Sequence, residues 1–301
     1  MIPSLTNSEM MAFTTCRRGW FIRYYRRLQR ATHYSLPTIG NMYHHGLEHY
    51  YKLGDTDVAQ MIRNEALALA EQFPADGEQV YRDAEMASIM LEGYFEWLEE
   101  TGADAGLNVI GAEESVEIEL MGTPYKLRGK IDARLQRESD GALLQLEHKT
   151  TGDLTAIPKY AQSAPQFLTY DLLAFLKAKE EGVDATDGVI INMARRVKRT
   201  SRAKPPFYGR HEVRHNVDEL RSHWRHVVAI GRGIERTRKA LDAGASHHDV
   251  CPPSVTRNHT FSCECAPITS MFDDGSDIEG YLTEFYVEFD PYARYDEEEA
   301  A

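Results

Sequence analysis

The chain has 301 residues, of which 42% are hydrophobic and 10% aromatic, and its formal net charge at pH 7 is −13. This composition is typical of an ordinary globular protein with one large core, or with a core and a helical annex. No stretch approaches the roughly 20 apolar residues of a membrane-spanning helix and the N-terminus does not resemble a signal peptide, so we expect a cytoplasmic protein that binds no membrane.

Helical patterns fill the first hundred residues. Ser8, followed by Glu9 and an apolar-periodic run, predicts the start of the first helix, and Pro37 opens the second. Asp55 or Asp57 could cap the third. The four predicted helices cover about residues 8–29, 37–51, 57–72 and 77–100.

From Asn108 the hydrophobic period changes to two. Apolar residues alternate with glutamates up to Leu120, and after a turn they alternate with charges from Leu127 to Leu135. A second turn leads into Leu144 and Leu146 and the polar run HKTTG. The pattern therefore predicts three strands in a meander.

The remaining elements complete an α/β fold. A helix, a strand, a second strand and a long helix are predicted over residues 161–181, 188–194, 208–213 and 217–241. This order indicates a mixed central sheet flanked by helices. We expect three consecutive regions, with an N-terminal helical region at 1–106, a core at 107–215, and a C-terminal helix, cysteine segment and acidic tail at 216–301.

The acidic average argues against a nucleic-acid partner, because proteins that grip phosphates usually carry a basic excess. The basic residues are nevertheless concentrated in two segments. They include Arg17, Arg18, Arg23, Arg26, Arg27 and Arg30, and then Arg195, Arg196, Lys198, Arg199, Arg202, Lys204, Arg210 and Arg214. Such patches could bind a nucleic-acid backbone or could be solvated faces, and charge alone does not decide between them.

Two acids and a lysine share one face of the predicted meander. Glu147 and Lys149 lie at i and i+2 on one strand, and Asp132 lies on the charged face of the strand before it. Two carboxylates on a half-buried surface are costly unless a cation neutralises them, and oxygen ligands suit Mg²⁺ or Mn²⁺. The alternative is that these acids are ordinary exposed strand residues paired with Lys130 or Lys149.

GKIDARL, followed by a turn and LLQLEHKTTG, resembles the core of the PD-(D/E)XK nucleases. The similarity is to the RecB-like branch, which includes the AddB nuclease domain and the CRISPR-associated exonucleases of the Cas-four type. GNMYHHGLEHY resembles that branch's upstream helix and APQFLTYDLLAF its downstream QxxxY helix. The motifs follow the family's order over residues 40–170. The resemblance implies a restriction-endonuclease-like core.

The resemblance also implies roles for individual residues. Asp132, Glu147, His44 and the carbonyl of His148 would hold the metal ion, and Lys149 would orient or deprotonate the attacking water. The glycine four residues earlier selects His44, with His45 and His49 as alternatives. Gln166 and Tyr170 would border the site and contact DNA, although Tyr170 could equally be core packing. Glu114 could supply an additional carboxylate to the site.

The cysteines Cys16, Cys251, Cys263 and Cys265 lie near opposite ends of the chain. Without a secretion signal, reduced thiols are expected rather than disulfides. Some members of the RecB-like branch carry one cysteine before the core and three after it, which implies a [4Fe–4S] cluster here. The spacing departs from the family pattern, since this chain has CxC after an eleven-residue gap. Zinc, with His259 as an added ligand, and buried free thiols are the alternatives.

The resemblance implies a metal-dependent DNA exonuclease that acts in recombination, repair or processing and is phage-encoded or accessory. Its substrate would be DNA with a free end and single-stranded character, bound through Arg17, Arg18, Arg195 and Arg196. Recombination or CRISPR-type proteins would be its partners. The alternatives are a structure-specific endonuclease and a DNA-end-binding module with a silent nuclease site.

Overall fold

In the computed structural model, the elements that the sequence predicts follow one another in the predicted order, and further short strands and helices lie near both ends of the chain. The structure describes residues 3–31, 38–73, 76–182, 186–254, 263 and 265–295. The helices are α1 (Asn7–Thr15), α2 (Arg17–Trp20), α3 (Ile39–Leu53), α4 (Val58–Gln72), α5 (Gly77–Thr101), α6 (Pro165–Glu181), α7 (Val217–Asp242), α8 (His247–Val250) and α9 (Ile278–Phe285). The strands are β1 (Ser4–Thr6), β2 (Leu28–Arg30), β3 (Leu107–Glu119), β4 (Lys126–Arg137), β5 (Leu143–Thr151), β6 (Gly188–Arg195), β7 (Tyr208–Val213) and β8 (Tyr286–Glu288).

The chain divides into two compact units, each formed by separate stretches of sequence. Unit 1 comprises residues 1–35, 117–129 and 221–301, and unit 2 comprises residues 36–116 and 130–220. The three consecutive regions expected from the sequence are a different kind of division, and their boundaries stay a prediction. Among the described residues, no helix is both long enough and apolar enough to cross a membrane.

Unit 2 is built on a mixed sheet. Its strands follow the order β4, β5, β6 and β7, with β3 also paired to β4. β5 is antiparallel to β4 and parallel to β6, and β7 is antiparallel to β6. This arrangement confirms the predicted α/β fold with a mixed sheet flanked by helices.

The two faces of this sheet bury different apolar clusters, as strand alternation requires. One face carries Leu144 and Leu146 of β5, which belong to the same buried cluster as residues of α3, α4 and α5. On the other face Val189 and Ile191 of β6 cluster with Phe167 of α6. The polar side chains of β5 that share the α6 face therefore lie between the sheet and α6.

Helix α3 is fixed firmly at both ends and in its middle. Thr38 and Asn41 form a capping box at its start, and Gly54 ends it in the left-handed region with φ 71°. A Cβ added to Gly46 would lie only 2.5 Å from Leu91 Cδ1 of α5. Only a glycine lets α3 approach α5 so closely at this point, so the position of α3 over the sheet is well defined.

Unit 1 is organised around a buried acid. β1 pairs in parallel with the first residues of β4, and β2 pairs antiparallel with β8. Glu9 of α1 is fully buried and accepts hydrogen bonds from Trp20 Nε1 at 3.0 Å, Arg238 at 2.9 Å and the Tyr292 hydroxyl at 2.5 Å. A buried carboxylate with this many donors ties distant parts of the sequence together.

The structure corrects the prediction of one helix over residues 8–29. The chain is extended at Cys16, with φ −155° and ψ 106°, so α1 ends there and α2 begins after it. The Cys16 sulfur accepts the Gly19 N–H at 3.4 Å, which offers the backbone a local alternative to continuing the helix. A π-helical segment, Phe21–Tyr25, and strand β2 follow.

The other predicted elements have small boundary differences. The helix predicted from residue 161 begins at Pro165, because proline suits the first turn of a helix and the preceding residues form 3₁₀ turns. The predicted helix start at Pro37 lies outside the described residues, and α3 is observed from Ile39. His259 and the acidic tail also lie outside them.

Candidate active site

Asp132 and Glu147 lie opposite each other on neighbouring strands. The β4–β5 register pairs Ala133 with Leu146, so the next antiparallel pair is Asp132 with Glu147. Opposite residues of an antiparallel pair point to the same face of the sheet. Their side chains are 12% and 4% exposed, respectively. The backbone N–H of His148 donates to Asp132 Oδ2 at 2.7 Å, which holds that carboxylate against β5.

Two donors meet at one oxygen of Glu147. Lys149 Nζ, two residues along the same strand, donates to Glu147 Oε1. Gln166 of α6 donates to the same oxygen at 2.7 Å and to the Tyr170 hydroxyl at 3.3 Å. Tyr170 is 6% exposed, so it is a core residue with its hydroxyl directed to Gln166. The strand motif with Glu147 and Lys149 and the QxxxY motif of α6 therefore meet at the Glu147 carboxylate.

Of the three neighbouring histidines of α3, His44 is the one beside the acids. Its Nδ1 lies 3.5 Å from Asp132 Oδ2. His45 points elsewhere, with its Nε2 3.2 Å from Glu65 Oε1 of α4, and the ring of His49 packs on that of His45. The helical period separates adjacent residues by about 100°, which explains why His44 and His45 face different partners.

The imidazole of His148 lies on the opposite face of β5 from the Glu147 side chain, with its ring centroid 5.8 Å from that of His44, and it enters a buried polar network. Its Nδ1 lies 2.9 Å from Asn192 Nδ2 of β6, which also donates to the Tyr94 hydroxyl at 3.0 Å. Arg210 of β7 donates to Asn192 Oδ1 at 3.2 Å. Burial lowers the pKa of His148 to about 3, so the ring stays neutral and accepts the amide N–H.

This network was not identified from the sequence. The available indication was Asn192, a polar residue inside the otherwise apolar strand GVIINMA. A fully buried amide needs hydrogen-bond partners. Asn192 therefore predicts a buried polar contact, but the sequence does not show which residues make it. The network holds β5 in place at His148. The neighbouring residues Glu147 and Lys149 point to the opposite face of the strand.

Glu113 is another buried acid that sequence reasoning missed. It is 7% exposed, adopts φ 56°, and its carboxylate lies 2.8 Å from Lys130 Nζ. Burial and the negative charge of Asp132 raise the pKa of Glu113. The sequence had offered Glu114 instead, but Glu114 is paired with Arg134. The left-handed backbone at Glu113 interrupts the simple alternation of β3, so a two-residue period does not reveal that Glu113 is buried.

The surroundings of the site shift the pKa values of its two acids in opposite directions. Burial and the nearby charge of Asp132 raise the pKa of Glu147. Although burial opposes it, the charge and hydrogen bond of His44 lower the pKa of Asp132. Glu147 and Asp132 thus disfavour each other's charge, and a divalent cation between such oxygen donors would relieve the repulsion.

The donor set fits a hard divalent cation in kind. Two carboxylates, an imidazole and a backbone carbonyl are ligands that Mg²⁺ and Mn²⁺ accept. As the side chains stand, no group of three or more His, Cys, Asp or Glu residues within the described ranges is arranged to hold a metal ion. The carboxylate oxygens are instead directed to Lys149, Gln166 and the N–H of His148.

The arginines predicted to bind DNA differ in their surroundings. In unit 2, Arg196 is exposed, and Arg195 is partly exposed and donates to the carbonyls of Lys204 and Pro206. In unit 1, Arg17 is exposed. Arg18 is 2% exposed, and its guanidinium binds both carboxylate oxygens of Asp273. The Nη1 and Nη2 donors of Arg18 are used inside unit 1, and its contact with DNA stays a prediction.

The cysteines of unit 1 are unpaired by disulfides but gathered in space. Cys16, Cys251 and Cys265 are buried and Cys263 is partly buried. A cavity of about 340 Å³ is lined in part by Cys16, Cys263 and Cys265. The hydrogen bond to Cys263 and burial raise the pKa of the Cys16 thiol to about 12, and burial raises that of Cys251 to about 11. Without a bound cation, the protein therefore favours the neutral form of the Cys16 and Cys251 thiols.

Comparison with known proteins identifies the relatives of this fold. A model of the PD-(D/E)XK nuclease superfamily matches residues 4–259. A candidate exonuclease from Eubacterium rectale has a TM-score of 0.50 at 11% identity, over 88% of this chain and 87% of that one. The protein SSO0001 has a TM-score of 0.29 at 14% identity, over 71% of this chain and 96% of that one, which is too low a score to support an argument. No curated protein matches significantly.

Proposed function

The chain belongs to the PD-(D/E)XK nuclease superfamily, and from this premise we propose that it is a divalent-metal-dependent deoxyribonuclease that removes nucleotides from DNA ends. Members of the superfamily typically use divalent metals such as Mg²⁺. The order of motifs over residues 40–170, which resembles the RecB-like branch, supports an exonuclease in DNA recombination, repair or processing. The fold shared with a candidate exonuclease makes this activity the first to test.

The convergence of His44, Asp132, Glu147 and Lys149 is the observation that carries the proposal. Asp132 and Glu147 lie immediately beyond the paired residues Ala133 and Leu146 of β4 and β5. His44 Nδ1 lies 3.5 Å from Asp132 Oδ2, and Lys149 contacts Glu147. Structural ion pairs rarely bury two carboxylates against each other, because each raises the cost of the other's charge. A site for a cation that also binds phosphate explains the arrangement.

We assign the roles as follows. His44, Asp132, Glu147 and the carbonyl of His148 would hold the metal ion, which when bound polarises the phosphate and makes a bound water more acidic. Lys149 Nζ lies beside Glu147 and can donate to the attacking water or to a phosphate oxygen as negative charge develops. Gln166 orients Glu147 from α6.

A titration of Mg²⁺ and Mn²⁺ in a cleavage assay on end-labelled linear DNA tests the proposal. Cleavage should depend on the metal, and Lys149→Ala should reduce kcat by about 100-fold or more, as expected for loss of one transition-state donor. Lys179→Ala, at an exposed position near the end of α6, is the matched control and should leave kcat unchanged. Metal-independent cleavage, or equal rates for the two variants, would contradict the assignment.

The exonuclease is distinguished from its alternatives by the form of the substrate. An exonuclease degrades linear DNA and spares a covalently closed circle of the same sequence, whereas a structure-specific endonuclease cuts circles that carry a flap or a single-stranded bubble. DNA binding with no cleavage at any metal concentration would instead identify a silent end-binding module.

We further propose that Cys16, Cys251, Cys263 and Cys265 hold a [4Fe–4S] cluster. The support is chemical, since these buried thiols share one region of unit 1 and burial disfavours their charge unless a metal centre compensates. Protein purified anaerobically should contain iron and sulfide in equal amounts, about four of each per chain, and absorb broadly near 400 nm. Stoichiometric zinc without sulfide would assign the thiols to a zinc site.

A further inference from the structure

A buried histidine in unit 2 contacts two acceptors at once. The side chain of His215, in the segment between β7 and α7, is 0% exposed. Its Nδ1 lies 2.6 Å from Asp171 Oδ2 of α6, and its Nε2 lies 3.0 Å from the carbonyl oxygen of Gln162. The sequence assigned no role to His215 or to Asp171.

These contacts require one proton more than a neutral histidine and an ionised aspartate carry. The Gln162 carbonyl can only accept, so Nε2 must bear a hydrogen. At Nδ1, either the histidine is doubly protonated and donates to a carboxylate, or a protonated Asp171 donates to the ring. If the pair loses this proton, the neutral ring keeps a single N–H, which can donate to Asp171 or to the Gln162 carbonyl but not to both. A nitrogen lone pair then faces the oxygen of the other partner, and that contact becomes repulsive.

The two partners of His215 lie on either side of the residue that reaches the acid site. Gln162 precedes α6, Asp171 lies within it, and Gln166 between them donates to Glu147 Oε1 at 2.7 Å. Asp171 also accepts from Gln145 Nε2 at 3.1 Å. Gln145 is two residues before Glu147 on β5 and shares its face of the sheet. Holding Asp171 and Gln162 together therefore fixes Gln166 relative to Glu147.

We propose that His215 and Asp171 form a proton-dependent clamp that positions Gln166 against Glu147, so that nuclease turnover declines when the clamp loses its proton. The inference rests on the proposed function, because Glu147 matters to turnover only if the site cleaves DNA. His215 and Asp171 are positioning residues in this account. They act through α6 and do not contact the scissile phosphate.

The charges around His215 set the direction of the effect. Two acidic groups face it, Asp171 on α6 and Glu219 on α7. Although burial opposes it, the hydrogen bond and charge of Asp171 raise the pKa of His215, and burial raises the pKa of Asp171. Both shifts favour retention of the shared proton. The contribution to stability is therefore complete below the unfolded value of about 6.5 and is lost as pH rises through the folded pKa.

The test compares pH profiles of kcat for wild type, His215→Asn and the matched control His211→Asn on β7. Asparagine can donate an amide N–H to Asp171 but does not titrate. Wild type and His211→Asn should lose activity about tenfold on the alkaline side, with KM little changed, because misplaced positioning groups reduce turnover. His215→Asn should lack this decline. An identical alkaline decline in His215→Asn would overturn the clamp.

A second measurement needs no DNA and no variant. Amide protection factors of α6 in the wild-type protein, corrected for the intrinsic pH dependence of exchange, should fall around residues 166–171 over the same pH range. Constant protection there would also overturn the clamp. If the wild type cleaves no DNA at any pH, the nuclease proposal fails, and the exchange experiment still decides whether the clamp exists.

Discussion

The acid site of unit 2 and the cysteine region of unit 1 differ in how their charges are arranged. Asp132 and Glu147 come from adjoining strands, close in sequence, and are held near each other although their charges repel. The cysteine region joins residues from opposite ends of the chain. In the same unit, buried charges are each paired with an opposite charge, as in Glu9 with Arg238 and Arg18 with Asp273. Two like charges held close together mark the region arranged for chemistry, and oppositely charged pairs alone mark the region arranged for stability.

The largest effect should come from removing the repulsion in unit 2. Glu147→Gln deletes one of two opposed carboxylates, so cleavage should fall by about 1,000-fold or more, while the melting temperature should stay the same or rise. Paired cleavage assays and thermal unfolding measure both quantities. Glu138→Gln, in the exposed turn between β4 and β5, is the control and should change neither. A melting temperature that falls by several degrees in Glu147→Gln would show that this glutamate is a structural residue.

The fold of unit 2 and its acid pair were predictable because they follow from local periodicity. A two-residue period places Glu147 and Lys149 on one face, and the turn between the strands brings Asp132 opposite. Glu113 was not predictable, because its left-handed backbone interrupts the alternation. The contact between His215 and Asp171 was not predictable either. The two residues lie far apart in the sequence, and no periodic pattern links them.

The first helix shows the corresponding failure in unit 1. The apolar period continues through residues 8–29, yet the helix stops at Cys16, where a side-chain sulfur captures the Gly19 N–H. The charge of Arg18 predicted a DNA contact, but its partner Asp273 lies far along the chain and only folding brings the two together. Composition reports that arginines are present, and it does not report which of them are already paired.

A middle-sized effect should follow from breaking the matched charges of unit 1. Arg18→Ala removes the ion pair with Asp273 and the hydrogen bond to the Thr269 carbonyl, so the free energy of unfolding should fall by about 1–3 kcal/mol. The loss stays below that of a fully buried pair because Asp273 is 51% exposed and regains water. Chemical denaturation measures the change, with the exposed Arg17→Ala expected to cost about 0.5 kcal/mol or less.

The same variant separates stability from DNA binding. Arg18→Ala should keep wild-type affinity for single-stranded DNA at temperatures where it is folded, because the Arg18 guanidinium is directed to Asp273 and not to solvent. A loss of affinity above about threefold without any loss of stability would instead identify Arg18 as a DNA contact.

The smallest effect should come from an exposed arginine near the acid site. The backbone N–H of Arg196 donates to the Thr151 carbonyl at 2.8 Å, which places this arginine beside the end of β5, two residues after Lys149. Because its side chain is exposed, it can neutralise one phosphate of a bound strand. Arg196→Ala, measured in a Glu147→Gln background so that DNA stays intact, should weaken binding only a few-fold and reduce the slope of log Kobs against log salt by about 0.7 for single strands. Arg82→Ala on the exposed face of α5 should leave the slope unchanged, and equal slopes for both variants would remove Arg196 from the DNA path.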